Sequence, residues 1–187
     1  MRRGDWAQTY TGRAFWPLDP RADEIEIEDI AWALAHQCRY AGHCRTFYSV
    51  AQHSCYVSDF CSPASALWGL MHDASEAYLC DIPRPLKRHL VGYKELEEAV
   101  MACVVERFGL SAEMPAEVKR LDNAILANER DQIMAPPPMD WSLLEPAIVG
   151  LIIAPWSPQQ AYMQFMRRFV ALGAARSHGA EEQKSGV

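Results

Sequence analysis

The sequence has no apolar run near the roughly 20 residues that a membrane-spanning helix needs. Its first residues, Met1-Arg2-Arg3-Gly4-Asp5-Trp6, lack the apolar core of a secretory signal, so a cytoplasmic chain is expected. Basic residues are the minority: 18 Lys and Arg stand against 24 Asp and Glu, a formal charge of −6, and no face is obviously basic. Binding to a long nucleic-acid backbone is therefore not expected, whereas one or two placed cations suffice for a small anionic substrate. There is no glycine-rich phosphate loop of the Walker type. The six cysteines include no CxxC pair and, without a secretion signal, read as reduced thiols. Cys38, His43 and Cys44 lack the tight pairing of a structural zinc site. Internal repeats are absent.

What remains is the composition of one folded domain. Half of the 187 residues are hydrophobic and 22% are charged, which excludes intrinsic disorder. A chain of this length buries enough surface to fold without disulfides or a partner. A single domain over residues 1–175 is expected, then a polar, disordered tail over 176–187. Trp6 to Pro20 reads as an extended arm, since Gly12, Pro17 and Pro20 leave no helical period. Its aromatics Trp6, Tyr10, Phe15 and Trp16 look exposed, suited to a subunit contact or to covering a site. Helical spacing of apolar residues predicts helices over about Glu26–Gln37, Ser49–Phe60, Ala64–Leu79, Tyr93–Phe108 and Pro115–Ile133, and one after Ser157. Ser49 with Gln52, and Ser157 with Gln160, have capping-box spacing. Val149–Ala154, short, apolar and partly β-branched, predicts one small strand. The expected fold class is all-α: a bundle of about six or seven helices with an extended N-terminal arm and one short C-terminal strand.

Three of these helices carry polar residues where apolar ones belong. His53 lies between Val50 and Val57, His72 and Asp73 follow Trp68, Leu70 and Met71, and Asp122 lies between Val118 and Ile125. A buried carboxylate is costly unless paired or metal-bound. Each alone has a plain explanation: a histidine hydrogen-bonded in the core, or Asp122 paired with Arg39, Lys119 or Arg120. Together, two imidazoles and two carboxylates form a suitable donor set for one Mn²⁺, Fe²⁺, Co²⁺ or Zn²⁺ ion.

A histidine, a His-Asp doublet and a distant aspartate on helices resemble the H…HD…D signature of the HD-domain metal-dependent phosphohydrolases. Ser49-Val50-Ala51-Gln52-His53-Ser54, His72-Asp73-Ala74-Ser75-Glu76-Ala77, Asp81-Ile82-Pro83-Arg84-Pro85-Leu86-Lys87 and Val118-Lys119-Arg120-Leu121-Asp122 look like the YfbR-like 5′-deoxynucleotidase branch, which phage deoxynucleotide triphosphohydrolases share. The resemblance covers about residues 25 to 135. It implies an HD-domain helical bundle in which His53, His72, Asp73 and Asp122 are the metal ligands. It further implies that Arg39 holds the substrate phosphate, that Glu76 orients the attacking water or protonates the leaving group, that Asp81 bonds the sugar hydroxyl, and that Lys87 neutralises a phosphate. Glu76 also reads as a solvated helix face, and Lys87 as an ordinary loop-end lysine. In the family an aromatic residue, typically tryptophan, follows the arginine and packs where a ribose 2′-hydroxyl would sit. Tyr40 stands here, which puts selection for deoxyribose in question. His43 either faces the site or bonds within its loop.

The implied reaction removes phosphate from a (deoxy)nucleoside 5′-monophosphate, with one divalent transition-metal ion (Co²⁺, Mn²⁺, Zn²⁺ or Fe²⁺) as cofactor. One alternative is a triphosphohydrolase with the same metal site, Mg²⁺ accompanying the polyphosphate and Arg45, Arg84 and Arg88 supplying further cations. A second is a di-iron oxygenase, disfavoured because only His89 lies between the doublet and Asp122. A third is a non-enzymatic nucleotide sensor, a class that usually lacks metal ligands. The expected partners are a small nucleotide and further copies of the chain in a homo-oligomer, dimer or larger; no membrane partner is expected.

Overall fold

The computed structural model describes residues 1–143 and 145–185, with side chains described only up to 173. It is mostly helical. Among the described residues there are eight α-helices: α1 (Ile27–His36), α2 (Val50–Phe60), α3 (Ala66–Met71), α4 (Glu76–Leu79), α5 (Arg84–Lys87), α6 (Tyr93–Phe108), α7 (Ala116–Ile133) and α8 (Pro158–Ser185). Two short strands in the arm, β1 (Ala7–Gln8) and β2 (Ala14–Phe15), pair antiparallel. No helix among the described residues is long and apolar enough to cross a membrane. The backbone of α8 is helical to Ser185. The tail expected over 176–187 falls on residues whose side chains, and in 186–187 whose placement, lie outside the described residues.

Helix α2 is central and packs against α1, α3, α7 and α8. Ser49 caps it, its Oγ accepting from the Gln52 N–H. Only half of the expected capping box forms, because the Gln52 side chain is drawn elsewhere. Its amide donates to the Ala154 carbonyl at 2.6 Å and accepts from the Trp156 N–H at 3.3 Å. At α8 the reciprocal box does form, Gln160 and Ser157 each bonding the other's N–H. Val50, Ala51, Cys55 and Val57 of α2 are buried, as are Ile30, Leu34, Leu70, Met71, Ile125 and Phe165 from its neighbours.

Three expectations need correction. Val149–Ala154 is not a strand: residues 149–150 form a turn and 151–154 have no regular secondary structure. Among the described residues no neighbouring strand reaches it; side-chain amides of α7 and α2 serve its backbone instead. Asn128 bonds both the N–H and the carbonyl of Ile148, Gln132 bonds the Leu151 carbonyl and the Ile153 N–H, and Gln52 follows at 154–156. The single helix expected over Ala64–Leu79 is broken after Met71 into α3 and α4. The joint is wound more tightly, with i→i−3 bonds from Ala74 to Met71, Glu76 to Asp73 and Ala77 to Ala74. Six of the described helices run longer than a single turn, in line with the six or seven expected, while α4 and α5 are single turns. Phe15 is not exposed: it is 1% accessible and stacks on Tyr78. Tyr10 stacks on Trp32, and Thr11 caps Asp29 of α1 with its N–H and hydroxyl, so the arm is stapled to its own domain. Trp6 and Tyr10 remain half exposed.

Gly69 decides how closely α3 approaches α2. A Cβ there would meet Cys61 Sγ at 2.8 Å and the Ser58 backbone at 3.0 Å. Backbone cannot yield as a flexible side-chain end does. Gly69→Ala should therefore destabilise the fold by about 1–3 kcal/mol, the usual cost of overpacking, read as a lower denaturation midpoint in urea. A midpoint at or above that of the parent chain would contradict this packing.

Candidate metal centre

The close approach of α2 and α3 brings two imidazoles together at a tilt of 56°, with ring centroids of His53 and His72 5.2 Å apart. Asp122 enters from α7, and its Oδ1 lies 3.3 Å from His53 Nε2. One ligand atom each from His53, His72 and Asp122 lies within 4.8 Å of the others. Asp73 borders this group, its Oδ2 3.2 Å from His72 Nε2 and 3.9 Å from His53 Nε2. All four residues that the sequence singled out as ligands thus meet in one place.

The far nitrogen of each ring fixes which nitrogen faces the cluster. His72 Nδ1 donates to the Gly69 carbonyl at 2.8 Å, since a carbonyl only accepts. His53 Nδ1 donates to Glu129 Oε1 at 2.7 Å. Both Nε2 atoms therefore point inward. Both are buried, and neither has a hydrogen bond of proper geometry despite the nearby carboxylates. Buried polar atoms rarely go without a partner. Two such nitrogens facing two carboxylates fit one divalent ion, each imidazole held by an outer acceptor in the manner of metal-ligating histidines. The plain alternative for Asp122, pairing with Lys119, also occurs, at 3.1 Å through its other oxygen, which leaves Oδ1 to the cluster.

The electrostatics agree with a cation site. Burial alone would raise the Asp122 pKa, yet the close approach of His53 Nε2 and the His72, His53 and Arg39 charges hold it far below the usual carboxylate range. Asp73 is depressed in the same way, burial being outweighed by His72, His53 and Arg39. Burial and Arg39 would lower the His53 pKa, but Glu129 and Asp122 lift it to about 9. The field that draws a proton to Nε2 also draws a metal ion, so the two compete there.

Around this centre lie the other sequence candidates. Arg39 is buried, with NH1 3.4 Å from Asp73 Oδ2, NH2 3.5 Å from Glu129 Oε2 and Nε without a partner. It is positioned by the pairing of Cys38 with Ser49, where the Arg39 N–H donates to the Tyr48 carbonyl. Tyr40 follows in the left-handed region at φ 57°, its hydroxyl donating to Glu129 and its ring 5.8 Å from Trp141. Glu76 is not a solvated residue: it is 7% accessible, its Oε1 lies 3.5 Å from Lys87 Nζ, and its Oε2 is buried without a partner. The tight joint between α3 and α4 explains this, because residues three apart eclipse in such a turn and Asp73 and Glu76 share a side. Burial, with the Asp73 and Asp81 charges, pushes the Glu76 carboxyl well above its usual range. Asp81 is half-buried and is raised by burial too, with Arg39, Asp73, Lys87 and His53 all within electrostatic reach. Lys87 is paired with Glu97 at 2.6 Å and with Glu76. His43 is exposed, and among the described residues its side chain makes no hydrogen bond to the cluster. A cleft of about 480 Å³ opens beside the centre, lined in part by His72, Asp73, Glu76, Lys87, Lys119 and Asp122.

Two residues escaped the sequence reading. Glu129 is fully buried and touches His53, Tyr40 and Arg39. It lies seven residues, two helical turns, after Asp122, a spacing that places both on one face and could have revealed it. Gln37 donates to the Glu76 carbonyl and accepts from the Asp81 N–H, tying both acids to the end of α1; nothing in its sequence position marks it.

No family model matches the chain. The "Uncharacterized protein YfdR" of Escherichia coli (strain K12) is 42% identical over 171 residues, covering 90% of this chain and 96% of that protein. The chain belongs to the YfdR family. A second protein described as uncharacterised, from Rhodobacter capsulatus, is 40% identical over 130 residues, covering 64% of this chain and 66% of its own length. Membership of the YfdR family carries no activity with it, so the chemistry rests on the side chains described above.

If His72 is a ligand, His72→Ala should weaken Co²⁺ binding by more than the roughly 10–100-fold typical of losing only a supporting partner, while circular dichroism keeps its helical signal. His89→Ala, at an exposed histidine, should leave the affinity unchanged. Equal affinities for the two variants in a metal titration would contradict the assignment.

Proposed function

We propose that the chain is a metal-dependent phosphohydrolase of the HD-domain type that removes the phosphate of a (deoxy)nucleoside 5′-monophosphate. The observation that carries this is the pair of buried, unpartnered Nε2 atoms of His53 and His72 facing Asp122 and Asp73. A divalent ion held by these four residues would supply Lewis acidity to the phosphoryl group and lower the pKa of water. Arg39 offers a planar guanidinium, whose fork suits two phosphate oxygens. Lys87 adds a cation at the cleft wall, where it offsets charge on the phosphoryl oxygens. Glu76 brings a carboxyl whose proton affinity is raised by burial, the property that a group exchanging protons near neutrality needs. Asp81, half-buried beside Arg39 and Lys87, is suited to bond a sugar hydroxyl. Tyr40 turns its hydroxyl toward Glu129, which leaves the ring as the surface beside Arg39.

A triphosphohydrolase on the same metal site draws support from the cleft, where Lys94 and Lys119 join Lys87. Arg45, Arg84 and Arg88 are all exposed. A panel of nucleoside mono-, di- and triphosphates with Mn²⁺, Co²⁺ and Mg²⁺ separates the two by product: inorganic phosphate from monophosphates, or triphosphate from triphosphates. Neither product with any metal would remove both.

Glu76 separates proton transfer from metal binding. Glu76→Ala should keep one metal ion per chain and near-parent substrate affinity, yet lose about 10²–10⁴ in rate, the usual worth of a positioned acid–base group. Glu76→Gln should be nearly as slow. Loss of the metal in Glu76→Ala would instead make Glu76 a ligand, and parent-like rates in both variants would end its catalytic role.

A further inference from the structure

We propose that Glu129 is a positioning residue that ties the metal ligand His53 to the phosphate-binding turn at Arg39 and Tyr40. Its carboxylate is fully buried, and its two oxygens serve different groups. Oε1 accepts from His53 Nδ1 at 2.7 Å. This orients the ring and turns Nε2 toward His72 and Asp122. Oε2 accepts from the Tyr40 hydroxyl and lies 3.5 Å from the Arg39 guanidinium. Tyr40 and Ala41 both lie in the left-handed region, at φ 57° and 51°, where residues with a Cβ are strained. Such a turn persists only where its surroundings hold it, and the contacts of Glu129 with Tyr40 and Arg39 supply that hold. One acid on α7 therefore sets the direction of a ligand on α2 and the shape of the loop before it.

The two halves of this role are separable by substitution. In Glu129→Gln the amide oxygen still accepts from His53 Nδ1–H, but its NH₂ faces the Arg39 guanidinium donor to donor. Glu129→Leu removes both functions at similar volume. Tyr40→Phe removes only the hydroxyl from the turn. Co²⁺ titration and nucleotide kinetics of the full chain read the two halves. Glu129→Leu should bind Co²⁺ about 10–100-fold more weakly, the range for losing an outer partner of a ligating histidine. Glu129→Gln should recover Co²⁺ affinity to within a few-fold while KM for the nucleotide rises at least tenfold, and Tyr40→Phe should raise KM with unchanged Co²⁺ affinity. A folded Glu129→Leu chain with parent Co²⁺ affinity overturns the proposal. Should Glu129→Leu fail to fold, Glu129→Gln decides: a loss of Co²⁺ affinity as large as its rise in KM, or no rise in KM in either Glu129→Gln or Tyr40→Phe, overturns it. The KM arm rests on the phosphohydrolase reading of Arg39. The Co²⁺ arm does not, so a chain that hydrolyses no nucleotide still tests the hold on His53.

Discussion

Placing ionisable groups inside a helical bundle is opposed by their desolvation, several kcal/mol for each ion before any partner is counted. This chain buries or half-buries His53, His72, Asp73, Asp122, Glu129, Arg39 and Glu76 within one region. Every one of them has a charged neighbour, yet the two imidazole Nε2 atoms have no hydrogen bond. The rest of the architecture serves that concentration of charge. Gly69 allows α3 close enough to α2 for the two rings to meet. The i→i−3 joint after Met71 turns Asp73 and Glu76 to one side. The pairing of Cys38 with Ser49 brings Arg39 beside them.

Much of the helical order was legible in sequence, because apolar periodicity reports which face of a helix is buried. The boundaries of α1, α2, α6 and α7 follow that periodicity to within a residue or two. The four ligand candidates were visible for the same reason, as polar residues interrupting an apolar stripe. Glu129 interrupts such a stripe as well, between Leu126 and Ile133, but it reads as a solvated position because its neighbours Asn128 and Arg130 are polar. Its role depends on what α2 and the Arg39 turn present to it, and no local pattern carries that.

Two failures have a common origin in backbone hydrogen bonding. The run at 148–156 has a strand's alternation only over 150–154, with Leu151 and Ile153 buried and Ile152 exposed. Its partners are the amides of Asn128, Gln132 and Gln52, which no strand signal anticipates. The break between α3 and α4 falls at His72-Asp73-Ala74-Ser75, where only Ala is a strong helix former, and Gln37 at the end of α1 holds the Glu76 carbonyl beyond it. This break lies within the charged cluster itself, at His72, Asp73 and Glu76. Phe15 was misplaced for a simpler reason: an arm without helical period gives no sign of which aromatic turns inward.

The YfdR-family relatives establish kinship without chemistry, so the account stands on whether His53 and His72 ligate one ion. X-ray absorption at the Co²⁺ edge, on the full chain loaded with one equivalent, tests this most directly. The account predicts a shell containing two imidazole donors with oxygen making up the remainder, and the loss of one imidazole contribution in His53→Ala. A shell of oxygen alone, unchanged by that substitution, would contradict it.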